Sequence, residues 1–306
     1  MMRRNRHKTI LWLGLLAGAV FMGYPYLYMF GNSLKTRFEF AADKASVWPE
    51  RVWAKAGVSI SAAGRQTAGS QPADEAKANR PEWPLWKNYS DALTFGRVGI
   101  YLRNSFFYAL VGTIVQLVFD VLAAYAFARM TFKGRDVLFA VVLSTMMLPP
   151  AVLLVPQFLV AKHLNLVDTF IGVIAPSAAG AFGIFMLRQF FLNIPVDLEN
   201  AARIDGCSEL GILVRIIVPL AKPALITLGL FIFLGTWNSF VWPLVILSDW
   251  NLYPLTVGLS LFREESLADW PRIFAASVMG SAPLIVLFLF AQRYLIGGIA
   301  LSGMKS

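Results

Sequence analysis

The 306-residue chain is too apolar for a soluble protein. Hydrophobic residues make up 57% of it and charged residues only 15%, whereas soluble domains carry about 25% charged residues. The net charge of +9 does not indicate nucleic acid, because the basic residues lie mostly at the ends of apolar segments and in one long loop. One cysteine and two histidines exclude an intramolecular disulfide and a Cys/His metal site.

Six charge-poor intervals are long enough to cross a membrane, which takes roughly 20 apolar residues. The first follows a basic N-terminus, and its length without a small-x-small cleavage site favours a retained anchor over a cleaved signal peptide. In the third, Pro149, Pro150 and Pro156 are expected kink sites. We predict an all-α integral membrane protein with spans at 9–34, 104–128, 137–161, 169–187, 223–248 and 273–292.

The short loops predict the orientation of these spans. The loop after the second span and the one after the fourth are rich in Arg and Lys, whereas the loop between the third and fourth holds Lys162 beside His163 and Asp168. The positive-inside rule therefore places both termini in the cytoplasm, together with the segment 195–222. The basic residues of the two cytoplasmic loops are Arg129, Lys133 and Arg135, then Arg188, Arg203, Arg215 and Lys222.

Four regions follow from this topology. Residues 1–34 are a cytoplasmic N-terminus and the first span, 35–103 an extracytoplasmic loop, 104–296 a core of five spans, and 297–306 a cytoplasmic tail. Within the long loop, 59–79 has the composition of a flexible insertion. Trp83, Trp86 and Tyr89 follow it, and they fit either an interfacial aromatic belt or contact with a ligand or partner.

The segment 198–220 is a polar interval between two apolar ones, and it begins as a short amphipathic helix. Asp197 is suited to be its N-cap, and Glu199 places a second negative charge at the positive end of the helix dipole. Glu199 and Arg203 are spaced as an i, i+4 ion pair. Gly206 can end the helix with a left-handed or a closely approached backbone. The expected apolar stripe is Leu198, Ala201 and Ala202.

Two uses of this segment are open from its pattern. It could lie in the membrane interface, or its small stripe could dock into a groove on another protein. A second amphipathic stretch follows, before Pro219 and Pro223 lead into the fifth span; its apolar residues are Leu210, Leu213, Ile216 and Ile217. The chain contains no Gly-Lys dipeptide and hence no Walker A loop, so any energy from ATP must come through another chain.

The chain resembles the permeases of binding-protein-dependent ABC importers, in the carbohydrate branch that includes maltose and glycerol-3-phosphate permeases. Ala201, Ala202, Gly206, Ile216 and Pro219 have the spacing of the EAA loop. The resemblance runs from about residue 88 to 305. Further matching stretches are "YAFARMTFKGRD", "MMLPPAVLLVP", "FGIFMLRQFFLNIP", "FLGTWNSFVWPL" and "QRYLIGGIALSGMKS".

This resemblance implies a type I ABC importer transmembrane domain in a bacterial inner membrane, which carries a carbohydrate and performs no catalysis. The expected partners are a different, homologous permease, two ATPase chains that bind ATP and Mg²⁺, an extracytoplasmic solute-binding protein and membrane lipid, with no nucleic acid. The chain itself is expected to hold no cofactor and no metal. The residues implied in ATPase coupling are Asp197, Glu199, Asn200, Ala201, Ala202, Arg203, Asp205, Gly206, Ile216 and Pro219.

One position departs from the family pattern. The glutamate of the EAA motif falls on Asn200. If Asp197 is the N-cap, Asn200 occupies the third helical position, where a glutamate would complete a capping box. The shorter side chain would lose the reciprocal bond, at a cost of about 0.5 to 1 kcal/mol.

Polar residues at membrane depth are the candidates for a substrate pathway, because such residues are costly and often functional. Asp120 and Gln116 lie in the second span, and for Asp120 the sequence favours a helix–helix hydrogen bond or a protonated partner over substrate contact. Trp237 and Asn238 together suit a sugar, with an amide beside an aromatic face, while Trp242 fits either that group or an interfacial belt.

Two other classes of protein compete with this interpretation. An ion-coupled secondary transporter would use broken helices near the membrane midplane, which the prolines of the third span permit. The sequence shows one carboxylate at membrane depth and no visible inverted repeat, however. A membrane scaffold without transport would leave both the polar loop and the polar membrane residues unexplained.

Overall fold

The computed structural model describes residues 2–49, 85–94, 96–265 and 269–302. The predicted insertion at 59–79 and Trp83 lie outside these residues. Within the described ranges all regular structure is helical. The helices are α1 Met2–Ser33, α2 Arg37–Ala42, α3 Lys87–Thr94, α4 Val98–Arg129, α5 Arg135–Ser144, α6 Pro150–His163, α7 Phe170–Ile174, α8 Ala181–Leu192, α9 Asp197–Ile204, α10 Glu209–Ile212, α11 Val218–Leu220, α12 Lys222–Trp237, α13 Val241–Ile246, α14 Leu255–Glu265 and α15 Trp270–Ser302.

Three helices are long and apolar enough to cross a membrane without a break. They provide the candidate spans Leu11–Ser33, Val98–Arg129 and Trp270–Gln292, which correspond to the first, second and sixth predicted spans. Three further helix pairs pass the same test but bend at a short break, by 108°, 47° and 82°. Counting each bent pair as one span gives up to six, in agreement with the sequence prediction.

In the structure the predicted third, fourth and fifth spans are each divided between two helices, and the break in the third confirms the kink expected at Pro149 and Pro150. The third breaks between Met147 and Pro150, because Pro149 is extended and the chain restarts with proline in its first turn. Pro156 lies inside α6. The predicted fifth span ends at Trp237, and α13 follows as a separate short helix. Asn238 favours this end, since its side-chain amide donates to the Leu234 carbonyl at 2.8 Å.

The chain divides into two compact units. The first contains residues 1–99 and 259–282. There the end of α1 is fixed to α3 by the Asn88 amide, which donates to the carbonyls of Ser33 and Lys35 at 2.7 Å each. The Lys35 ammonium is buried and donates to the carbonyls of Asp43 and Ser46. The first of these bonds satisfies the Ser33 carbonyl, which the end of α1 leaves without a helical partner.

The second unit contains residues 100–258 and 283–306, and its core holds the polar segment in place. Large apolar side chains from α8, α10 and α12 pack against alanines of α4, so the helices approach closely. Ile212 and Ile217 are completely buried in this cluster. The segment between α8 and α12 is therefore part of a packed core and not a free loop; further core members are Ala124, Ala202, Leu187, Phe191 and Leu228.

Candidate functional site

Helix α9 begins one residue earlier than an Asp197 cap would place it. Asp197 is inside the first turn, and Val196 precedes it without a side-chain cap. The N-cap prediction for Asp197 is wrong, because Val196 already has helical dihedral angles. Glu199 takes the third helical position instead of Asn200. The capping-box position predicted for Asn200 is therefore wrong as well. Asp197 and Glu199 still lie in the first turn, where negative charge is favourable.

Gly206 ends α9 in a left-handed conformation, one of the two backbone arrangements expected of it, with φ of 81°. The Cys207 N–H donates to the Ala202 carbonyl at 2.9 Å, and the Gly206 N–H donates to the Arg203 carbonyl at 3.1 Å. These two bonds form a Schellman motif. Cys207 packs against the core just beyond it. Ser208 then caps α10 by accepting from the Gly211 N–H, so the chain reverses within a few residues.

A buried ion pair fastens α9 to the end of the long helix α4. Arg129 Nε lies 2.7 Å from Glu199 Oε1, with side chains exposed by only 7% and 1%. The geometry at Nε is that of an ion pair and not of a hydrogen bond. The same guanidinium donates to the Phe191 carbonyl at 2.7 Å and the Ile194 carbonyl at 2.6 Å. Arg129 thus joins three elements: α4, the end of α8 and the start of α9.

Arg203 extends this network along the segment. Its guanidinium contacts Glu199 at 3.4 Å, Asn200 at 3.1 Å and Glu209 at 2.8 Å. The predicted i, i+4 pair between Glu199 and Arg203 is therefore present. The hydrogen bond to Glu209 raises the pKa of Arg203, which keeps it cationic. Glu209 also accepts from the Tyr125 hydroxyl at 2.7 Å, so a second residue of α4 contacts the segment.

The opposite face of the segment is exposed and apolar. Ala202 points into the core, whereas Leu198 and Ala201 are exposed, so the predicted stripe is split between two faces. Ile204 is 87% exposed and Leu210 63%. Leu213 and Ile217 are buried in a π-helical turn, Ile216 is half-buried, and Asp205 and Pro219 are exposed. We name Leu198, Ala201, Ile204 and Leu210 the exposed apolar face.

Asp120 is fully buried and links α4 to the start of α8. Its carboxylate accepts from the Gly180 N–H at 2.7 Å and from the Gln116 amide at 3.4 Å. The structure thus shows the helix–helix hydrogen bond favoured by the sequence. A Cβ at Gly183 would collide with this carboxylate, so α8 can approach α4 only because that position is glycine.

A cavity of about 410 Å³ opens beside this contact. Of the four predicted pathway residues, Trp242 lines it, and the indole N–H donates to the Gly172 carbonyl at 3.1 Å. Trp237 is buried against Phe233, with ring centroids 5.8 Å apart. Asn238 caps α12 with its own amide, and neither of these two borders the cavity. The lining includes Tyr108, Gln116, Gln157, Ser177, Phe182, Gly183, Phe231, Thr236 and Ser239.

Sequence reasoning missed the residues that hold the segment from outside. In the sequence, Arg129 indicates only the orientation of the spans, and nothing marks Tyr125 or Glu209 as contacts of the segment. A basic residue at the end of an apolar span usually marks topology. No signal in the sequence singles out Arg129, because Glu199 already has Arg203 at i+4 as a partner and its burial is seen only in the structure.

Comparison with known proteins decides the family. The profile of the binding-protein-dependent transport system inner membrane component matches residues 120–300. The chain belongs to this family. The permease is 36% identical over 228 residues to the arabinooligosaccharides transport system permease protein AraQ of Bacillus subtilis (strain 168), covering 74% of this chain and 80% of the relative.

Other relatives are named for different cargoes. The permease is 36% identical over 227 residues to the sulfoquinovosyl glycerol transport system permease protein SmoH of Agrobacterium fabrum (strain C58), covering 74% and 80% of the two chains. It also matches a chain in the crystal structure of a bacterial ABC transporter that imports the acidic polysaccharide alginate. That match has a TM-score of 0.75 and 26% identity, and it covers 95% of this chain and 98% of the other.

These matches establish an ABC importer permease of the inner membrane, with several apolar helices. They confirm the predicted fold class and transport role. They offer no support for an ion-coupled secondary transporter. The assigned family is binding-protein-dependent, so the permease works with an ATPase and a solute-binding protein.

Proposed function

We propose that this permease is one of two different membrane subunits of an ATP-driven importer for a carbohydrate, and that α9 receives the motion of the ATPase. The observation that carries the proposal is the attachment of α9. An exposed apolar face lies on one side of the segment, and the buried pair of Arg129 and Glu199 fastens the other side to α4.

This arrangement suits the transmission of force. The exposed apolar face offers side chains that a groove on a partner can bury. Because Arg129 also binds the end of α8, a displacement of α9 moves α4 and α8 together. Packing of Ile212 and Ile217 in the core couples α12 to the same movement, because close-packed protein cores resist local deformation.

The relatives support carbohydrate as the cargo. Their names specify arabinooligosaccharides, sulfoquinovosyl glycerol and alginate, which share many hydroxyl groups. Polar uncharged side chains and aromatic rings line the cavity beside Asp120, as expected for a ligand that is bound by hydrogen bonds and apolar contact.

We further propose an assembly with a second, homologous permease, two ATPase chains and an extracytoplasmic solute-binding protein. ATP and Mg²⁺ bind to the ATPase chains, so this permease carries no cofactor and performs no covalent chemistry. Both termini and the segment 195–222 lie in the cytoplasm, because the basic residues of the short loops are concentrated on that side.

The test is ATP hydrolysis by the purified complex in proteoliposomes. Loaded solute-binding protein should stimulate hydrolysis, and Ile204→Glu should reduce that stimulation roughly 30-fold, as for a central interface residue. Leu164→Glu is the matched control, since Leu164 is an exposed leucine outside the segment. Full stimulation of the Ile204→Glu complex would exclude docking at this face, and a wild-type complex without stimulation would exclude the importer itself.

A further inference from the structure

The cavity beside Asp120 has an uncharged polar lining. Six amide or hydroxyl side chains from four parts of the fold border it, and the described residues that line it include no Lys, Arg, Asp or Glu. Its volume of about 410 Å³ lies within the ~300–1,000 Å³ typical of small-molecule sites. The six are Tyr108 and Gln116 of α4, Gln157 of α6, Ser177 after α7, and Thr236 and Ser239 at the end of α12.

The orientation of the Gln116 amide is fixed by Asp120, which does not itself line the cavity. A carboxylate accepts hydrogen bonds, so the amide nitrogen of Gln116 faces Asp120 Oδ2 at 3.4 Å. The same nitrogen occupies the space that a Cβ at Gly180 would need. Asp120 is itself held by the Gly180 N–H. The amide oxygen of Gln116 is therefore the group left to accept a hydrogen bond from a ligand.

Other lining groups have unused hydrogen-bonding capacity. Within the described part of the chain, the side chains of Gln157, Thr236 and Ser239 have no hydrogen-bond partner. Each is half-buried, at a place where solvent contact is already reduced. Trp242 is held by its bond to Gly172, and an indole ring with a fixed position offers an apolar surface for a sugar ring.

We propose that this cavity binds an uncharged sugar residue of the cargo, with Gln116, Gln157, Thr236 and Ser239 as ligands and Asp120 as the positioning residue of Gln116. The proposal rests on the carbohydrate function above and narrows it to neutral cargo. An anionic sugar would need a cation in the lining, because a buried charge without a partner is costly. The carboxylate of Asp120 behind Gln116 would also repel it.

Protection of an introduced cysteine tests this site in the purified full complex. Ser239→Cys is built with Cys207→Ala, which removes the one native cysteine of the chain, and maleimide labelling of this chain is followed on a gel. Arabinotriose or maltotriose should slow labelling roughly fivefold or more at saturation, since a bound ligand covers most of such a pocket. Glycerol-3-phosphate and digalacturonate should have no effect. The control is Ser144→Cys, an exposed serine that does not line the cavity.

Two substitutions test the ligand and the positioning residue. Gln116→Leu should raise the half-protecting concentration of the neutral probe about tenfold, the effect of one hydrogen bond lost in a partly buried site. Asp120→Asn presents an amide to Gln116 and should reverse the orientation of the Gln116 amide. The half-protecting concentration should then rise less than it does for Gln116→Leu. In a protein that already carries Gln116→Leu, Asp120→Asn should not raise the half-protecting concentration further. If Asp120 had only a structural role, the second substitution would raise that concentration by its full effect.

The outcomes separate this proposal from the proposed function. Equal or better protection by the anionic probes overturns the site, and so does the absence of protection by every probe. Labelling does not depend on ATP hydrolysis, so a complex that shows protection by neutral sugars but no stimulated hydrolysis refutes the importer and not the site. A complex that shows stimulated hydrolysis but no protection by any probe refutes the site and not the importer.

Discussion

Replacing Arg129 by methionine should destabilise the permease and uncouple it from its ATPase. Methionine keeps much of the length of the side chain but removes the charge and all donors. Glu199 then remains 1% exposed without its main cation, and the carbonyls of Phe191 and Ile194 lose a shared donor. The polar link that remains from α4 is the Tyr125 contact with Glu209 of α10, which Arg203 of α9 contacts in turn, beside the packing of Ala202 in the core.

The magnitude follows from the burial of the pair. Removing one partner of a buried ion pair costs about 3–5 kcal/mol, chiefly because the other charge is left uncompensated. Arg203 remains 3.4 Å from Glu199, so we expect the lower end, about 3 kcal/mol. Replacing both partners removes the buried charge as well, so Arg129→Met with Glu199→Met should recover part of the stability.

Thermal unfolding of the detergent-purified complex measures this effect. The single variant should unfold roughly 5–10 °C below wild type, and the double variant between the two. Both variants should insert into the membrane, and both should lose ATP hydrolysis stimulated by the binding protein. An unchanged unfolding temperature for Arg129→Met, or a double variant less stable than the single one, would show that the pair does not hold α9.

Three further predictions concern the glycines and Asn200. Gly206→Trp should insert normally but abolish uptake, whereas Gly206→Asn should retain most activity because asparagine tolerates the φ of 81°. Gly183→Ala should lower stability by about 1–3 kcal/mol through its collision with Asp120; Gly18→Ala, with open space around it, is the control in the same unfolding assay. Asn200→Glu should change stability by less than about 0.5 kcal/mol, because Asn200 bonds Arg203 and completes no capping box; a large gain in unfolding temperature would contradict this.

Local rules accounted for part of the site and failed where distant residues meet. The left-handed Gly206 and the pair of Glu199 and Arg203 follow from spacing within one helix, and both are present. The Asp197 cap failed because Val196 already adopts helical dihedral angles. The Leu198, Ala201 and Ala202 stripe failed because packing against α8 and α10 selects Ala202 alone for the core.

The sequence by itself determined the membrane class, the approximate spans, the family and the end of α9, because these depend on composition, local spacing and single backbone conformations. Only the tertiary structure decided that Arg129, 70 residues before Glu199, holds that helix, and that Gln116 lines a cavity while Trp237 and Asn238 do not. The physical reason is the same in each case. Periodicity tells which face of a helix is apolar, but the partner of a buried charge or amide is set by which helices pack together.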